Sequence, residues 1–571
     1  MDQSASVGQP MAMMADAGGR TALMVFAKMG QVDGMRVVLM ATTDPAALTM
    51  LKDSAGWTAL MLAALTGHVE AMRLLLDHPS ADARMMMLCN ADGVTALMLA
   101  AGKGHAEAMR LLLDHPSADA AAMMTLAAKD GSTALIVAAE NGHAEAMRLL
   151  LDHPSADPAA MVMLMESGGW TALMFAAQNG HVDAMRVLLD HPSADAVGMM
   201  MPKDSAGRTA LMVAAAAGHA DAMCVLLGHP SADAAAMMML RTANGGTTLM
   251  AAAQDGHVES MRVLLDHPSA DAAAMMVLAT NSGVITFMMS ALSGHVDAVR
   301  LLLNHPSADA AAMLMHTDSD GATALMAAAA AGHADAMRVL LDHPSADAAA
   351  MMMLAHSGVF SALMFAALCG HVDVVRLLLD HPSADAAAMM AVRTPACDSA
   401  LTSAALFAAD SSATRSCAPL LLLLRRVAEE PQPSCDAQQA HMTKVMEALC
   451  MGPGANELFK DNQPDDARDE CICLLLSLGA SSFVPETARP IMARIIRNAV
   501  QMARAPHLIN EAVVGMAASR KRPREGACVH LNCARAPTQL PVCGAAAADE
   551  FVRSSTSAMC GVPLHLARHG P

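Results

Sequence analysis

Asp53-Ser-Ala-Gly-Trp-Thr-Ala-Leu-Met-Leu-Ala-Ala-Leu-Thr-Gly-His-Val-Glu-Ala-Met-Arg-Leu-Leu-Leu-Asp-His-Pro-Ser-Ala-Asp82 is the stretch on which the architecture turns. It recurs along the chain with one landmark, a Gly that usually precedes His, at Gly30, Gly67, Gly104, Gly142, Gly180, Gly218, Gly256, Gly294, Gly332 and Gly370. The steps are 37, 37 and then 38 seven times. So regular a period means a stack of similar units, each too thin to bury its apolar face alone.

Within the unit, Thr58 can cap a helix whose mostly apolar face is Leu60, Met61, Ala63 and Ala64. Gly67 ends it, because Gly enters the left-handed region at little cost. Val69, Met72, Leu74, Leu75 and Leu76 form the stripe of a second helix, which Pro79 stops. Asp53-Ser-Ala-Gly56 is a turn signal before the first helix.

These motifs resemble the ankyrin-repeat family: Asp-x-x-Gly-x-Thr-x-Leu from Asp53 to Leu60, Ala63-Ala64-x-x-Gly67-His68, and Leu74-Leu75-Leu76 followed by Ala81-Asp82. The resemblance spans roughly residues 16–410. It implies an all-α repeat solenoid of stacked helix-turn-helix units. Two departures stand out. The family's Thr-Pro-Leu-His reads Thr-Ala-Leu-Met here, and the period is 38 where the family has about 33. The extra residues, His78-Pro-Ser and the run around Met85-Met-Met87, are expected to lengthen the hairpin connection.

Composition narrows the function classes. The 571 residues are 54% hydrophobic but only 2% aromatic, without Tyr. A formal charge of −19 opposes wrapping nucleic acid, which needs Lys and Arg against phosphate. The longest Leu run, Leu420 to Leu424, is closed by Arg425-Arg426, too short to span a membrane. Met1-Asp-Gln-Ser has no basic start or apolar signal core, and the end has no prenylation box. Thirteen Cys, ten of them from Cys397 onward, suit reduced thiols better than a disulfide framework. A cytoplasmic chain is expected, with the nucleus as a second destination.

Along the chain, residues 1–15 are expected to be a disordered N-terminus and 16–410 the repeat array, ten units and a degenerate eleventh beginning near Ser399-Ala-Leu401. Residues 411–518 read as a helical cap of worn repeats, and 519–571 as a disordered tail.

The repeat accounts for most residues that could carry chemistry. Of 25 His, nine follow the landmark Gly and nine precede Pro. The His68 type is expected to tie the loop backbone to the next unit. The His78 type stands about 10 Å from its neighbours, too far for two to share one metal ion. The Met runs are packing, some of it exposed as an adaptable edge. Arg73, Arg110, Arg148, Arg186, Arg262, Arg300, Arg338 and Arg376 each precede an Asp (Asn304 once) by four residues, and both are lost together at Cys224 and Gly228. That pattern predicts an i,i+4 pair worth about 0.3–0.5 kcal/mol.

One position varies while its flanks stay nearly constant. Between the hairpin Gly and Thr stand Arg20, Trp57, Val94, Ser132, Trp170, Arg208, Gly246, Val284, Ala322 and Phe360. Both Trp of the protein are here. The resemblance implies that this hairpin tip and the exposed side of the first helix, where Phe175 and Phe365 lie, form a concave partner-binding face. Trp and Arg are favoured at binding hot spots. The alternative is that Trp57 and Trp170 only cover the adjacent hairpin.

In the tail, Arg520, Lys521, Arg522 and Arg524 fit a short basic nuclear-import signal, or equally a solvated basic linker. Cys528-Val-His-Leu-Asn-Cys533 with Cys543 lacks the paired spacing of structural zinc sites. No phosphate loop, Gly-x-Ser-x-Gly or kinase catalytic loop occurs. The expectation is a non-enzymatic scaffold for protein partners, with no cofactor, metal, nucleic acid, membrane or small-molecule substrate. The alternative is an adaptor whose repeats recruit a target while residues 411–571 recruit an effector such as ubiquitin-ligase machinery.

Overall fold

The structure is a computed structural model that describes residues 13–79, 83–193, 195–356, 360–392, 399–408, 418–429 and the single positions Met442, Val445 and Cys471. The proposed disordered start (save 13–15), most of the 411–518 cap and all of the 519–571 tail lie outside those residues. The chain is an all-α repeat solenoid whose helices fall into two compact bodies, a first half Met1–Met275 and a second half Met276–Pro571.

In the first half, the helix Ala96–Gly102 shows how each unit starts. Thr95 is extended, and its hydroxyl accepts the Met98 N–H at 3.3 Å, the cap expected of that Thr. The equivalent helix Ala59–Thr66 is buried along Ala59 to Ala64, which is possible because successive first helices pack directly on one another. Gly67 ends it in the left-handed region at φ +72°. The second helix, Val69–Leu76, buries Ala71, Met72, Leu75 and Leu76 and leaves Arg73 in water. Burial of each such Leu or Met contributes about 1.5–3 kcal/mol.

The lengthened connection differs from expectation. It is a third, short helix: Ala120–Thr125, Ala196–Met200 and Ala234–Met239 in the first half, Ala310–Met315 and Ala348–Met353 in the second. Asp119 caps the first of these by accepting the Ala122 N–H at 3.1 Å. The first two residues of each run turn inward, as Met237 and Met238 do at 2% and 1% exposure. The third place of the run is exposed, as Met163, Met201, Met239, Met315 and Met353 show.

The His of the landmark Gly-His pair joins units, but to the preceding one rather than the next. His105 Nε2 lies 3.2 Å from the Leu65 carbonyl, and His181 Nε2 3.1 Å from the Glu140 carbonyl. A carbonyl only accepts, so Nε2 carries the proton. The ring lies flat against the preceding unit's Gly, where a β-carbon on Gly67 would stand 2.7 Å from His105 Nδ1.

The Arg column is also corrected. Arg110, Arg186, Arg300, Arg338 and Arg376 pair with the acid at i−3, as in Arg110–Glu107 at 2.6 Å and Arg186–Asp183 at 3.8 Å, and not with the Asp (Asn304 once) at i+4. Helical side chains lean toward the N-terminus, which favours the earlier partner. The Asp sits at the helix C-cap and faces the His-Pro histidine of the next unit: Asp114–His153 at 3.8 Å, Asp152–His191 at 3.4 Å, Asp190–His229 at 3.8 Å and, in the second half, Asp342–His381 at 3.6 Å. Each of these His also closes its own turn: Nδ1 of His153, His191, His229 and His381 accepts the N–H of Ser155, Ser193, Ser231 and Ser383 at 3.2, 3.3, 3.2 and 3.2 Å. Gly228 offers His267 no such carboxylate, and a β-carbon added there meets nothing within 4 Å. Gly228→Asp is therefore expected to stabilise the array by about 0.5–1 kcal/mol, mainly by removing a helical Gly. A urea midpoint that falls would show that the Asp–His contact is not favourable.

In the second half, Ile285 replaces the capping Thr and makes no side-chain cap, while Phe287 fills the core at 0% exposure. Ser399 bonds Thr402 N–H at 3.3 Å ahead of the helix Ala400–Ala408, which packs on Ala362–Leu368. The helix Ala418–Glu429 packs on Ala400–Ala408 and Val372–Asp380. These two helices continue the helix-on-helix packing of the preceding units as far as Glu429.

Candidate functional site

Each unit opens on a hairpin that holds the variable tip residue. Asp53 N–H donates to the Trp57 carbonyl at 2.9 Å, and Gly56 N–H to the Asp53 carbonyl at 2.9 Å. Asp53 Oδ1 accepts both Ala55 N–H and Trp57 N–H, at 2.9 and 2.8 Å. Hairpins then stack through backbone bonds: Ala91 N–H to Ala55 O, Lys129 N–H to Asp92 O and Ser205 N–H to Gly168 O, each 2.9 Å. In the second half, Ser319 N–H donates to Ser282 O at 2.9 Å, and the last hairpin closes as two short strands, Ala355–His356 and Phe360–Ser361.

On this frame the structure gathers three candidates from two consecutive units. The Trp170 ring lies 5.1 Å from Phe175, and the Arg208 guanidinium stands 5.2 Å over Trp170. Asp204, whose side chain is fully buried, grips Arg208 through Nε at 2.8 Å and Nη2 at 2.7 Å. It also accepts the Ala206 and Arg208 N–H groups through Oδ1. A buried carboxylate needs this full set of partners, and the result is a pre-set shelf of Phe, Trp and Arg with a partly exposed edge. The Trp170 ring thus touches the protein itself through Phe175 and Arg208 while staying partly exposed, so covering and binding are not exclusive roles.

Phe360 and Phe365 form a second cluster, 5.6 Å apart, with His356 5.7 Å from Phe365. Phe365 is only 4% exposed, so it packs against Phe360 and presents little of its ring at the surface. Trp57 and Val94 are half-buried in their own hairpins. Arg20 is exposed and reaches the next hairpin's Asp53 at 3.7 Å. Arg520, Lys521, Arg522 and Arg524 lie outside the described residues. Asp204 was overlooked in the sequence, although it belongs to the Asp-x-x-Gly turn signal and its second oxygen points where an Arg at i+4 can reach. On the same side, burial and then the charge of Asp130 push the Glu140 carboxyl above its ordinary range.

The profile described as ankyrin repeats (three copies) matches residues 7–87, 81–162, 160–237, 232–313 and 287–390, about two-thirds of the chain. The chain belongs to the ankyrin-repeat family. Ankyrin repeats are, in general, protein–protein interaction modules and typically not enzymes. No curated protein matches the chain. Among the described residues no helix is long and apolar enough to cross a membrane, and no group of three or more His, Cys, Asp or Glu is placed to hold a metal ion.

One of the Gly-His residues, His333, gives this ankyrin array a pH dependence. Burial pushes the His333 imidazole below its ordinary range; a backbone bond to Leu292 offsets part of this, and the neighbouring His371 and His295 lower it a little further. The folded state thus holds His333 neutral when the unfolded chain already takes up a proton. Stability is full above the ordinary imidazole range, is lost as pH falls through that range, and the loss is complete below the folded value. Urea midpoints should fall between about pH 8 and about pH 5, and less so in His333→Asn. Equal slopes in the two proteins would dismiss His333 as a source.

Proposed function

We propose that this ankyrin array is a non-enzymatic scaffold that holds protein partners along its hairpin tips and the exposed sides of its first helices, the concave face of the family. The supporting observation is that the tip side chain changes from unit to unit on a hairpin whose backbone bonds do not. The outermost contacts are Arg20, Trp57, Val94, Trp170, Phe175, Arg208 and Phe360. Trp170 and Arg208 are the expected hot spot, being large, rigidly held and partly exposed.

The test is affinity capture from native extract with wild type and with Trp57→Ala, Trp170→Ala and Phe360→Ala combined, each checked for unchanged helicity. Specific partners recovered by the wild type should be lost, or at least about tenfold depleted, with the variant. Full recovery with the folded variant would place binding elsewhere.

A further inference from the structure

We infer that the partner segment held by the first half of the array is an acidic polypeptide. This rests on the partner-binding reading of the hairpin face and names the chemistry that face selects. All five lysines among the described residues lie there: Lys52, Lys129 and Lys203 in the hairpins, Lys28 and Lys103 at the ends of first helices. Every one is exposed. Lys52 Nζ donates to the next hairpin's Cys89 carbonyl at 2.6 Å, and Lys203 Nζ to the Arg241 carbonyl at 3.0 Å. An ammonium carries three donors, so each keeps two for a ligand.

The acids of the same face are partly withdrawn. The Asp53 and Asp204 side chains are 4% and 0% exposed, with their oxygens turned to backbone N–H groups and to Arg. The opposite side differs. On the second and third helices of the first half and the loops between them, eighteen described acids face seven arginines, several already paired with the acid at i−3. The hairpins and first helices of the first half carry eight cations and eight acids. An anionic segment is therefore repelled by one side of the first half and admitted by the other, which sets where it docks as well as how fast. Among the described residues of the second half, no Lys or Arg stands on a hairpin or a first helix, so the acidic stretch belongs to the first half alone.

Both tryptophans of the protein stand on this face, so their fluorescence reports the site without a label. The probe is a short peptide of alternating Glu and Ser, compared with its Lys/Ser counterpart and with a single-stranded oligonucleotide, using the full chain. The Glu peptide should bind, weaken with added salt, and weaken roughly tenfold or more in Lys52→Glu/Lys129→Glu/Lys203→Glu. A second variant, Lys28→Glu/Lys103→Glu/Lys129→Glu, spares Lys52 and Lys203, whose ammonium groups bond the next hairpin, and should act in the same direction if the first variant misfolds. Binding of the Lys peptide or of the oligonucleotide at equal or greater strength overturns the inference, as does indifference to both variants. The native partner separates the two readings. If the charge variants retain it while the Trp57→Ala/Trp170→Ala/Phe360→Ala protein loses it, the hairpin face stands and its acidic preference falls. If all of them retain it, both readings fall.

Discussion

Gly56→Val should cost the array about 3–4 kcal/mol, the largest loss expected from any single change on the hairpins. Gly56 lies at φ +85°, a conformation that a β-branched residue enters only under strain. A β-carbon there would stand 2.7 Å from the Ala91 nitrogen and 2.9 Å from the Asn90 carbonyl carbon. Those are backbone atoms, so no rotamer can relieve the collision. The hairpins must separate, which breaks the Ala91 N–H to Ala55 O bond and exposes the joint between the second and third units. Because stability in a stacked array is a sum over neighbouring contacts, the loss should be local. Hydrogen exchange should accelerate around residues 53–60 and 90–97 well before it does near residue 200. A midpoint change equivalent to less than about 1 kcal/mol would mean that the hairpins are not held as tightly as the distances say.

Met237→Ala should cost about 2–4 kcal/mol, and Met239→Ala less than about 0.5 kcal/mol. The two side chains are two residues apart on the short helix Ala234–Met239, yet one is 2% exposed and the other 36%. Met237 fills the space that the longer repeat opens beneath its connection, and its removal leaves a cavity that flanking Ala residues cannot close. Met239 lies at the surface, where the space left by truncation is filled by water. Chemical denaturation of both variants checks the contrast. Equal losses would mean that the third helix packs as a whole, and equal indifference that it is decoration.

Period, caps and terminators were legible because each is a local signal repeated ten times. Thr58 and Gly67 do what any Thr and Gly in those places would do. The third helix was not legible. Ala-Ala-Ala-Met-Met-Met has no polar contrast from which to read a period, and Asp119 passed as the end of one unit when it is the cap of the next helix. The Arg–Asp spacing misled for a related reason. Both residues share a helix face, but the Asp carboxylate faces a His that is 39 residues away in sequence, as Asp114 and His153 show. At the candidate site, variability marked the tips, whereas the burial of Phe365 depends on Phe360 and His356 folding over it, which no single-unit pattern contains.

The imidazole that rests on the previous unit's glycine makes the array directional. At Leu65, Gly102, Glu140 and Ala330 the helix-end carbonyl is completed by a ring supplied from the C-terminal side. Cutting between two units therefore creates unlike ends. The upstream fragment keeps a bare glycine and a carbonyl that has lost its donor, while the downstream fragment keeps an imidazole that has lost its seat. A fragment of this chain has a socket at one end and a plug at the other, so two fragments can rejoin in only one order.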